Sequence, residues 1–339
     1  MSIRAAIIGC GDIAGRYDEI KNDSGCYTHA GAYSSTDKIE ITAAADPDAN
    51  RLSAFGEFWK VPNLYADVID LLRNQPVDLV SVCVPDALHE EVINQVLSTH
   101  PPKIIFAEKP LALSSRAARR LLDRAHGVGT RIVLNNQRRW EQGHLRARSL
   151  IRNGEIGEVA TVTAYYVKGL YHIGCTAVDT IRFLVSEVDR VQALEGDPEA
   201  ASSRDASLDA ALYLDSGATG VILGLDRYGY RYSLFEIDIL GTTGRIRIVE
   251  NGDRILWFGI KEYGHYPGFW ELREACEHEI SCDMGSAIAN GVYRILEILT
   301  NPHDTSDSDG EEGYRDLCVL DAIVSSKAQN CVSLPVKYK

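Results

Sequence analysis

The fold is decided by residues 3–14, which read IRAAIIGCGDIA. The run Ile3–Ile8 is short and largely apolar, which predicts a single buried strand. A glycine turn, Gly9-Cys10-Gly11, follows at once, and the small residue Ala14 comes three positions later. A strand that passes through such a turn directly into a helix is typical of the first βα unit of a doubly wound sheet.

The rest of the first half repeats this alternation of strand and helix. Apolar runs predict strands at 3–8, 40–45, 79–84, 103–107 and 131–134, and helical spacing predicts helices at 66–74, 89–98 and 114–126. Ser114 and Ser115 are candidate N-caps of the third helix. Such alternation requires parallel strands joined by crossover helices, and the ligands of these sheets bind at the carboxyl ends of the strands.

The pattern changes after Leu134. One helix is predicted at 145–152, and strands follow at 159–167, 210–214, 219–225, 234–240, 245–249 and 254–258. Helices return at 270–280, 287–299 and 311–329. Consecutive strands indicate an α+β domain with a large, mostly antiparallel sheet. We therefore predict an α/β protein with a Rossmann domain at residues 1–130 and a second domain at residues 131–339.

Composition limits the possible functions. The chain has 339 residues, 45% of them hydrophobic, and a net charge of −13, which argues against disorder and against a nucleic-acid partner. No run reaches the roughly 18 apolar residues of a membrane span. The eight cysteines form no C-x-x-C pair, and no histidine is spaced for zinc, so no metal site is predicted. Without a secretory h-region, the predicted location is the cytoplasm.

The glycine turn and the second strand together predict a nicotinamide dinucleotide. Gly9 allows the tight turn, and Gly11 lets the backbone approach a pyrophosphate. The helix that begins at Asp12 and Ile13 offers its free N–H groups to the phosphates. Asp46 follows the second strand, where a carboxylate holds a ribose 2′-hydroxyl and repels a 2′-phosphate. NAD is therefore predicted in preference to NADP.

Several downstream motifs resemble those of one enzyme family. They are FAEKPL at 106–111, NQRRW at 136–140, LIRNGEIGEV at 150–159, GTTGR at 241–245 and LDAI at 320–323. With the glycine turn, they resemble the glucose–fructose oxidoreductase and inositol dehydrogenase family (Gfo/Idh/MocA) over nearly the whole chain. The resemblance implies hydride transfer between a nicotinamide and a sugar or cyclitol carbon. It also implies a C-terminal domain that binds substrate and forms a homodimer or homotetramer.

Lys109 is the predicted acid/base of that reaction. Oxidation of a carbinol carbon needs a group that takes the hydroxyl proton, and reduction needs the same group to return it. Lys109 follows the fifth predicted strand, where the nicotinamide is expected, and could touch both cofactor and substrate. Glu108 either orients Lys109 or contacts the cofactor. Pro110 fixes the backbone, and the Lys109–Pro110 bond is a candidate for the cis form that the family often shows.

The family's second catalytic segment departs from its usual form here. The family has an Asp and, four residues later, a His, and these positions hold His172 and Thr176. His172 after Lys168-Gly169 resembles a branch of surface-polysaccharide and nucleotide-sugar enzymes. His172 is predicted to shuttle a proton or donate to a sugar hydroxyl. Thr176 could bind substrate or relay a proton, and Arg139 and Trp140 are further candidates for a sugar pocket.

Two alternatives stay open. The loss of the usual Asp and His is compatible with a non-catalytic dinucleotide-binding regulator or scaffold of the same fold. Elimination or glycosidic cleavage through transient oxidation, with recycled NAD, is a third possibility.

Overall fold

The computed structural model describes residues 2–21, 23–195, 205–226, 229, 232–273, 278–301, 304 and 306–338. The chain forms two compact units: Met1–Trp140 with Met284–Leu317, and Glu141–Asp283 with Cys318–Lys339. The predicted boundary between a Rossmann domain at residues 1–130 and a second domain at residues 131–339 stays a prediction.

The described strands and helices are as follows in chain order. The strands are β1 Ile3–Ile8, β2 Ile39–Ala45, β3 Asn63–Tyr65, β4 Leu79–Val82, β5 Ile104–Ala107, β6 Arg131–Leu134, β7 Val159–Tyr166, β8 Val188–Ala193, β9 Ala210–Leu214, β10 Thr219–Gly224, β11 Phe235–Gly241, β12 Gly244–Val249, β13 Arg254–Glu262, β14 Trp270–Leu272, β15 His278–Ser281 and β16 Leu334–Pro335. The helices are α1 Tyr17–Ile20, α2 His29–Ser34, α3 Ala49–Trp59, α4 Val68–Asn74, α5 His89–Thr99, α6 Ser115–Gly127, α7 Gln142–Arg152, α8 Cys175–Leu184, α9 Met284–Thr300 and α10 Gly310–Ala328. Helical turns lie at Asp12–Arg16, Gln137–Arg139 and Leu170–Gly174.

The first unit contains the predicted parallel sheet. Its six strands lie in the order β3-β2-β1-β4-β5-β6, and every neighbouring pair is parallel. Every residue of β4 and β5 is buried, because helices cover both faces of a doubly wound sheet. Side chains cap three of the helices: Asp48 caps α3, Asp67 caps α4 and, as predicted, Ser114 caps α6. The Rossmann fold predicted from residues 3–14 is confirmed.

The core of the first unit also contains residues from far along the chain. Helix α9 contributes Ile288, Val292 and Ile295 to the same buried cluster as Ile7 and Phe106. The α9 residues begin more than 140 positions after the last Rossmann strand ends. The first unit is therefore completed by a segment that the sequence pattern placed with the second domain.

The second unit contains the predicted large sheet. Its main path runs β14-β13-β12-β11-β7-β10-β9-β8-β16, and β15 pairs with β13. The pairs are antiparallel except for β7 and β10. Burial alternates along β9, β11 and β12, as expected for a sheet with one covered face. The mostly antiparallel α+β architecture is confirmed.

One predicted helix is wrong. The segment 270–280 is rich in helix-forming residues, but Trp270–Leu272 and His278–Ser281 are strands, and residues 274–277 lie outside the described part. Ile280 lies opposite Ile255, and Trp270 lies opposite Glu262, so both strands pair with β13. Pairing with an existing strand outweighs intrinsic helix propensity here.

Among the described helices, none combines the length and apolar character needed to cross a membrane.

Candidate active site

The glycine turn after β1 has two glycines with different surroundings. Gly9 has φ = +86°, and a Cβ built on it would lie 2.5 Å from the Cys83 carbonyl oxygen, so only glycine fits. A Cβ on Gly11 would meet no atom within 4 Å. Gly11 is the N-cap of the helical turn Asp12–Arg16, and no side chain accepts its first N–H groups. The turn thus presents open backbone at a helix start, as a bound pyrophosphate requires.

Asp46 lies directly after β2 and is almost fully buried, with 3% of its surface exposed. Its carboxylate accepts hydrogen bonds from the backbone N–H of Cys10 and of Asp48, both at 2.8 Å. The Arg51 guanidinium lies 3.4 Å from the same carboxylate, and it also approaches Asp48 at 3.6 Å. Asp46 therefore connects the glycine turn to the end of β2 through hydrogen bonds. The positively charged Arg51 side chain lies next to the Asp46 carboxylate.

A cavity of about 480 Å³ adjoins these residues within the first unit. Its lining includes Gly9, Gly11, Asp46 and Arg51, together with apolar residues that follow β4. The combination of an open glycine backbone, a carboxylate and an apolar wall matches the parts of an adenosine diphosphate group. The residues present therefore fit a dinucleotide.

Lys109 lies two residues beyond the end of β5. It is half-buried, and the Lys109–Pro110 bond is cis, as predicted. Two contacts fix this segment: Glu108 donates its N–H to the Val82 carbonyl at 3.0 Å, and the Pro110 carbonyl lies 2.6 Å from Nδ1 of the buried His89. The segment is thereby held at the carboxyl edge of the sheet, where the glycine turn and Asp46 also lie.

Glu108 is buried and has two polar side-chain partners. Asn135 donates its amide N–H to Glu108 Oε1, and His29 Nε2 lies 3.1 Å from the same oxygen. Burial by itself raises the pKa of the Glu108 carboxyl. The hydrogen bonds from His29 and Asn135 and the charges of His29 and Lys109 outweigh burial and hold that pKa below its usual value. Glu108 is therefore an ionised carboxylate next to Lys109.

In the second unit, the candidate residues His172 and Thr176 lie close together in the chain, at the helical turn that leads into α8 and in the first turn of α8. Two carboxylates hold this turn: Asp226 accepts from the N–H of Lys168 and Gly169, and Asp205 accepts from the N–H of Tyr171 and His172. His172 is half-buried, and Thr176 is the second residue of α8. Sequence reasoning missed both carboxylates, because each lies more than thirty residues from the turn without any spacing signal.

Arg139 and Trp140 are packed within the first unit. Arg139 is 5% exposed and donates to the Asp307 carbonyl and to the Glu312 carboxylate, at 2.8 and 3.0 Å. Trp140 is also 5% exposed, and its ring lies against Gly291 of α9. Both side chains have structural contacts, and their predicted contact with a substrate stays a prediction.

Glu141, His144 and Cys282 form a buried cluster in the second unit that has the composition of a metal site. The Glu141 carboxylate, however, accepts from the N–H of Gly143, His144 and Asp283, and it lies 2.7 Å from His144 Nδ1. Burial alone raises the pKa of Glu141, but these hydrogen bonds lower it to about 2. Capping of α7 accounts for this arrangement.

Comparison with known proteins gives a consistent family. Residues 3–136 match the Gfo/Idh/MocA model, described as an oxidoreductase family with an NAD-binding Rossmann fold. D-apiose dehydrogenase of Paraburkholderia graminis is 23% identical over 65% of this chain and 59% of the relative. D-glucoside 3-dehydrogenase of Escherichia coli is 26% identical over 48% of this chain and 42% of the relative. The chain thus spans about half the length of these curated relatives.

A solved structure extends the likeness over the whole fold. The WlbA dehydrogenase of Bordetella pertussis, in complex with NADH and UDP-GlcNAcA, superposes with a TM-score of 0.75 at 20% identity and covers 99% of both chains. At this identity the likeness establishes the two-domain fold alone.

Proposed function

We propose that this chain, whose residues 3–136 match the Gfo/Idh/MocA oxidoreductase model, acts as an enzyme of that family and transfers a hydride between NAD and a hydroxyl-bearing or keto carbon of a small sugar-like molecule. The substrate class is a sugar, a cyclitol or a nucleotide sugar. One observation carries the proposal: Lys109 lies at the carboxyl edge of β5, in the same sheet as the open glycine turn after β1. A proton acceptor and a dinucleotide cradle at one edge are what such a reaction needs.

The role of Lys109 follows from the chemistry of alcohol oxidation. A bound nicotinamide supplies the acceptor for the two electrons and the hydrogen that leave the carbinol carbon. As a neutral amine, Lys109 Nζ takes the proton of the substrate hydroxyl while the carbonyl forms. In the reverse direction the ammonium returns that proton to the carbonyl oxygen. Glu108 and the Pro110 contact with His89 hold the backbone that carries Lys109.

The cofactor proposal is NAD rather than NADP. Gly9, Gly11, Asp12 and Ile13 are proposed to hold the pyrophosphate, and Asp46 the adenosine ribose. A buried carboxylate accepts a hydrogen bond from a 2′-hydroxyl and repels a 2′-phosphate. Relatives known as NADH complexes, such as the Bordetella enzyme, agree with this choice.

His172 and Thr176 of the second unit are proposed as substrate-binding residues, with His172 assisting proton transfer. The proposal rests on their positions in the family's second catalytic segment and on the fixed turn that precedes them. Arg139 and Trp140 stay weaker substrate candidates, since both are packed inside the first unit. A homodimer or homotetramer is proposed from the family and is testable by light scattering.

Lys109→Met tests the proposal. General acid–base catalysis contributes about 10²- to 10⁴-fold, and kcat/KM is expected to fall by that factor while the Kd for NADH is unchanged. Lys103→Met is the matched control, because Lys103 precedes the opposite end of β5, is exposed and pairs only on the surface with Asp78. Full activity of Lys109→Met would contradict the assignment.

The dinucleotide-binding regulator is the second candidate, because His172 and Thr176 replace the family's Asp and His. Absorbance of reduced nicotinamide, followed across a panel of sugars, cyclitols and nucleotide sugars, separates the two. Binding of NADH without turnover of any member of the panel favours the regulator. Tightly held cofactor with substrate cleavage and no net redox change favours the elimination reaction instead.

A further inference from the structure

A chain of buried polar side chains lies behind Glu108 in the first unit. Tyr33 Oη is 2.6 Å from Ser81 Oγ, which is 2.8 Å from His29 Nδ1. His29 Nε2 then lies 3.1 Å from Glu108 Oε1. Tyr33, Ser81 and His29 are 0% exposed, which makes this chain part of the core. Buried polar groups are costly unless each one is paired, so the chain requires a definite arrangement of hydrogens.

The ionised carboxylate sets that arrangement. A carboxylate only accepts, and His29 Nε2 must therefore carry a hydrogen and donate it to Glu108. On the other side of the ring, His29 Nδ1, Ser81 Oγ and Tyr33 Oη continue the chain of hydrogen bonds. The donation from His29 Nε2 is the contact that joins this chain to the carboxylate.

The chain of polar side chains ends at Tyr33, inside the core of the first unit. Tyr33 is fully buried, and burial raises the pKa of its hydroxyl far above the usual value. Phe106 covers the His29 ring, with ring centroids 4.3 Å apart. The contacts with Ser81, Glu108 and Phe106 therefore hold the His29 ring in one orientation.

The side chains around Glu108 either stabilise its negative charge or are affected by it. His29 from α2 and Asn135 from the end of β6 donate to it, and Lys109 is the neighbouring cation. Cys83, after β4, is buried, and its pKa is raised well above the usual value by burial first and by Glu108 second, so it stays a neutral thiol. Asn135 and His29 are thus the two side chains whose donors hold the carboxylate of Glu108 in place.

We propose that His29 is a positioning residue for the reaction at Lys109: its Nε2 holds the Glu108 carboxylate in one orientation, and Glu108 is the residue that directly precedes Lys109 in the segment after β5. This inference rests on the proposed function, in which Lys109 is the acid/base. His29 acts only through Glu108, and nothing in the chain from Tyr33 to Glu108 needs to touch substrate.

Two variants of His29 test the inference. His29→Leu removes the donor to Glu108, whereas His29→Gln offers a carboxamide whose nitrogen donates to Glu108 and whose oxygen accepts from Ser81. We expect kcat of His29→Leu to fall about 10-fold or more, since small misplacements of a catalytic group cost rates of this order, with KM and the Kd for NADH within about 3-fold of wild type. His29→Gln is expected to recover most of kcat.

A second measurement reports the charge of Glu108 without any turnover. In protein labelled with ¹³C at glutamate carboxyls, the Glu108 signal is assigned from its loss in Glu108→Gln. The midpoint of its titration is expected to rise by about one pH unit or more in His29→Leu, because burial persists while a donor is gone. An intermediate midpoint is expected in His29→Gln.

His144→Leu is the matched control, since His144 is equally buried and also pairs with a buried carboxylate, Glu141. It is expected to lower stability while kcat and the Glu108 midpoint stay unchanged. An unmoved Glu108 midpoint in folded His29→Leu, or equal kcat in His29→Leu and wild type, overturns the inference. If wild type binds NADH but turns over no substrate, the proposed function fails, and the titration alone then decides whether His29 holds the charge of Glu108.

Discussion

Neutralising Asp46 is expected to reverse the cofactor preference. Asp46→Asn keeps the size of the side chain and removes its charge. A hydrogen bond from a ribose hydroxyl to a charged acceptor contributes about 1.5–3 kcal/mol, so the Kd for NADH should rise roughly 10- to 150-fold. For NADPH the repulsion between carboxylate and 2′-phosphate disappears, and Arg51, which lies 3.4 Å from the carboxylate, is released to meet the phosphate.

The structure also predicts a cost in stability. The Asp46 carboxylate accepts from two backbone donors, the N–H of Cys10 and of Asp48. Asparagine has only one acceptor oxygen, and one buried donor therefore loses its partner at about 1–3 kcal/mol. The melting temperature of Asp46→Asn should fall by a few degrees, and binding must be measured well below it.

Fluorescence titration with NADH and with NADPH, at constant ionic strength, gives the two Kd values. Their ratio is expected to shift toward NADPH by about 100-fold or more, from the lost ribose hydrogen bond and the lost repulsion together. Asp48→Asn is the control, because Asp48 is exposed and also pairs with Arg51 at 3.6 Å. An unchanged ratio in folded Asp46→Asn would refute the assignment of Asp46 to the adenosine ribose.

Two further predictions concern the glycine turn and acid stability. Gly9→Ala is expected to lower the unfolding free energy by at least about 2 kcal/mol, because φ is positive and the Cβ meets the Cys83 carbonyl at 2.5 Å, whereas Gly11→Ala should leave stability unchanged and weaken NADH binding. Equal melting temperatures for the two variants would contradict this. Glu141, with a folded pKa of about 2 against an ordinary 4.5, contributes stability that is complete above about pH 4.5 and is lost as the pH falls toward 2. The unfolding free energy of Glu141→Gln should therefore lack the loss that Glu141 causes in the wild type as the pH falls. An identical pH dependence of unfolding in the variant and the wild type would contradict this role of Glu141.

The sequence predicted those parts of the fold that depend on local pattern. Strand Arg131–Leu134 and strand Ala210–Leu214 have the predicted bounds, because each is a short apolar or alternating run between clear breaks. The helix predicted at 270–280 is wrong because local helix propensity contains no information about pairing with the distant strand β13. Long-range pairing is the information that a single sequence lacks.

The candidate site divides in the same way. The glycine motif and the strand pattern directly predict the positions of Gly9, Asp46 and Lys109 at the ends of strands, and the roles of these residues stay predictions. His29 was missed, since its contact with Glu108 spans 79 residues and a lone histidine in a polar stretch carries no spacing signal. Asp205 was missed for the same reason, because its bond to the His172 N–H spans 33 residues.

The late position of α9 has a consequence for synthesis on the ribosome. Helix α2, which carries His29, packs against α9, and Trp140 packs against Gly291. At roughly 5–20 residues per second, the ribosome needs on the order of 7–30 s to add residues 141–283 before α9 emerges. During that interval the nascent Rossmann sheet has an uncovered apolar side, and we expect chaperones to hold it.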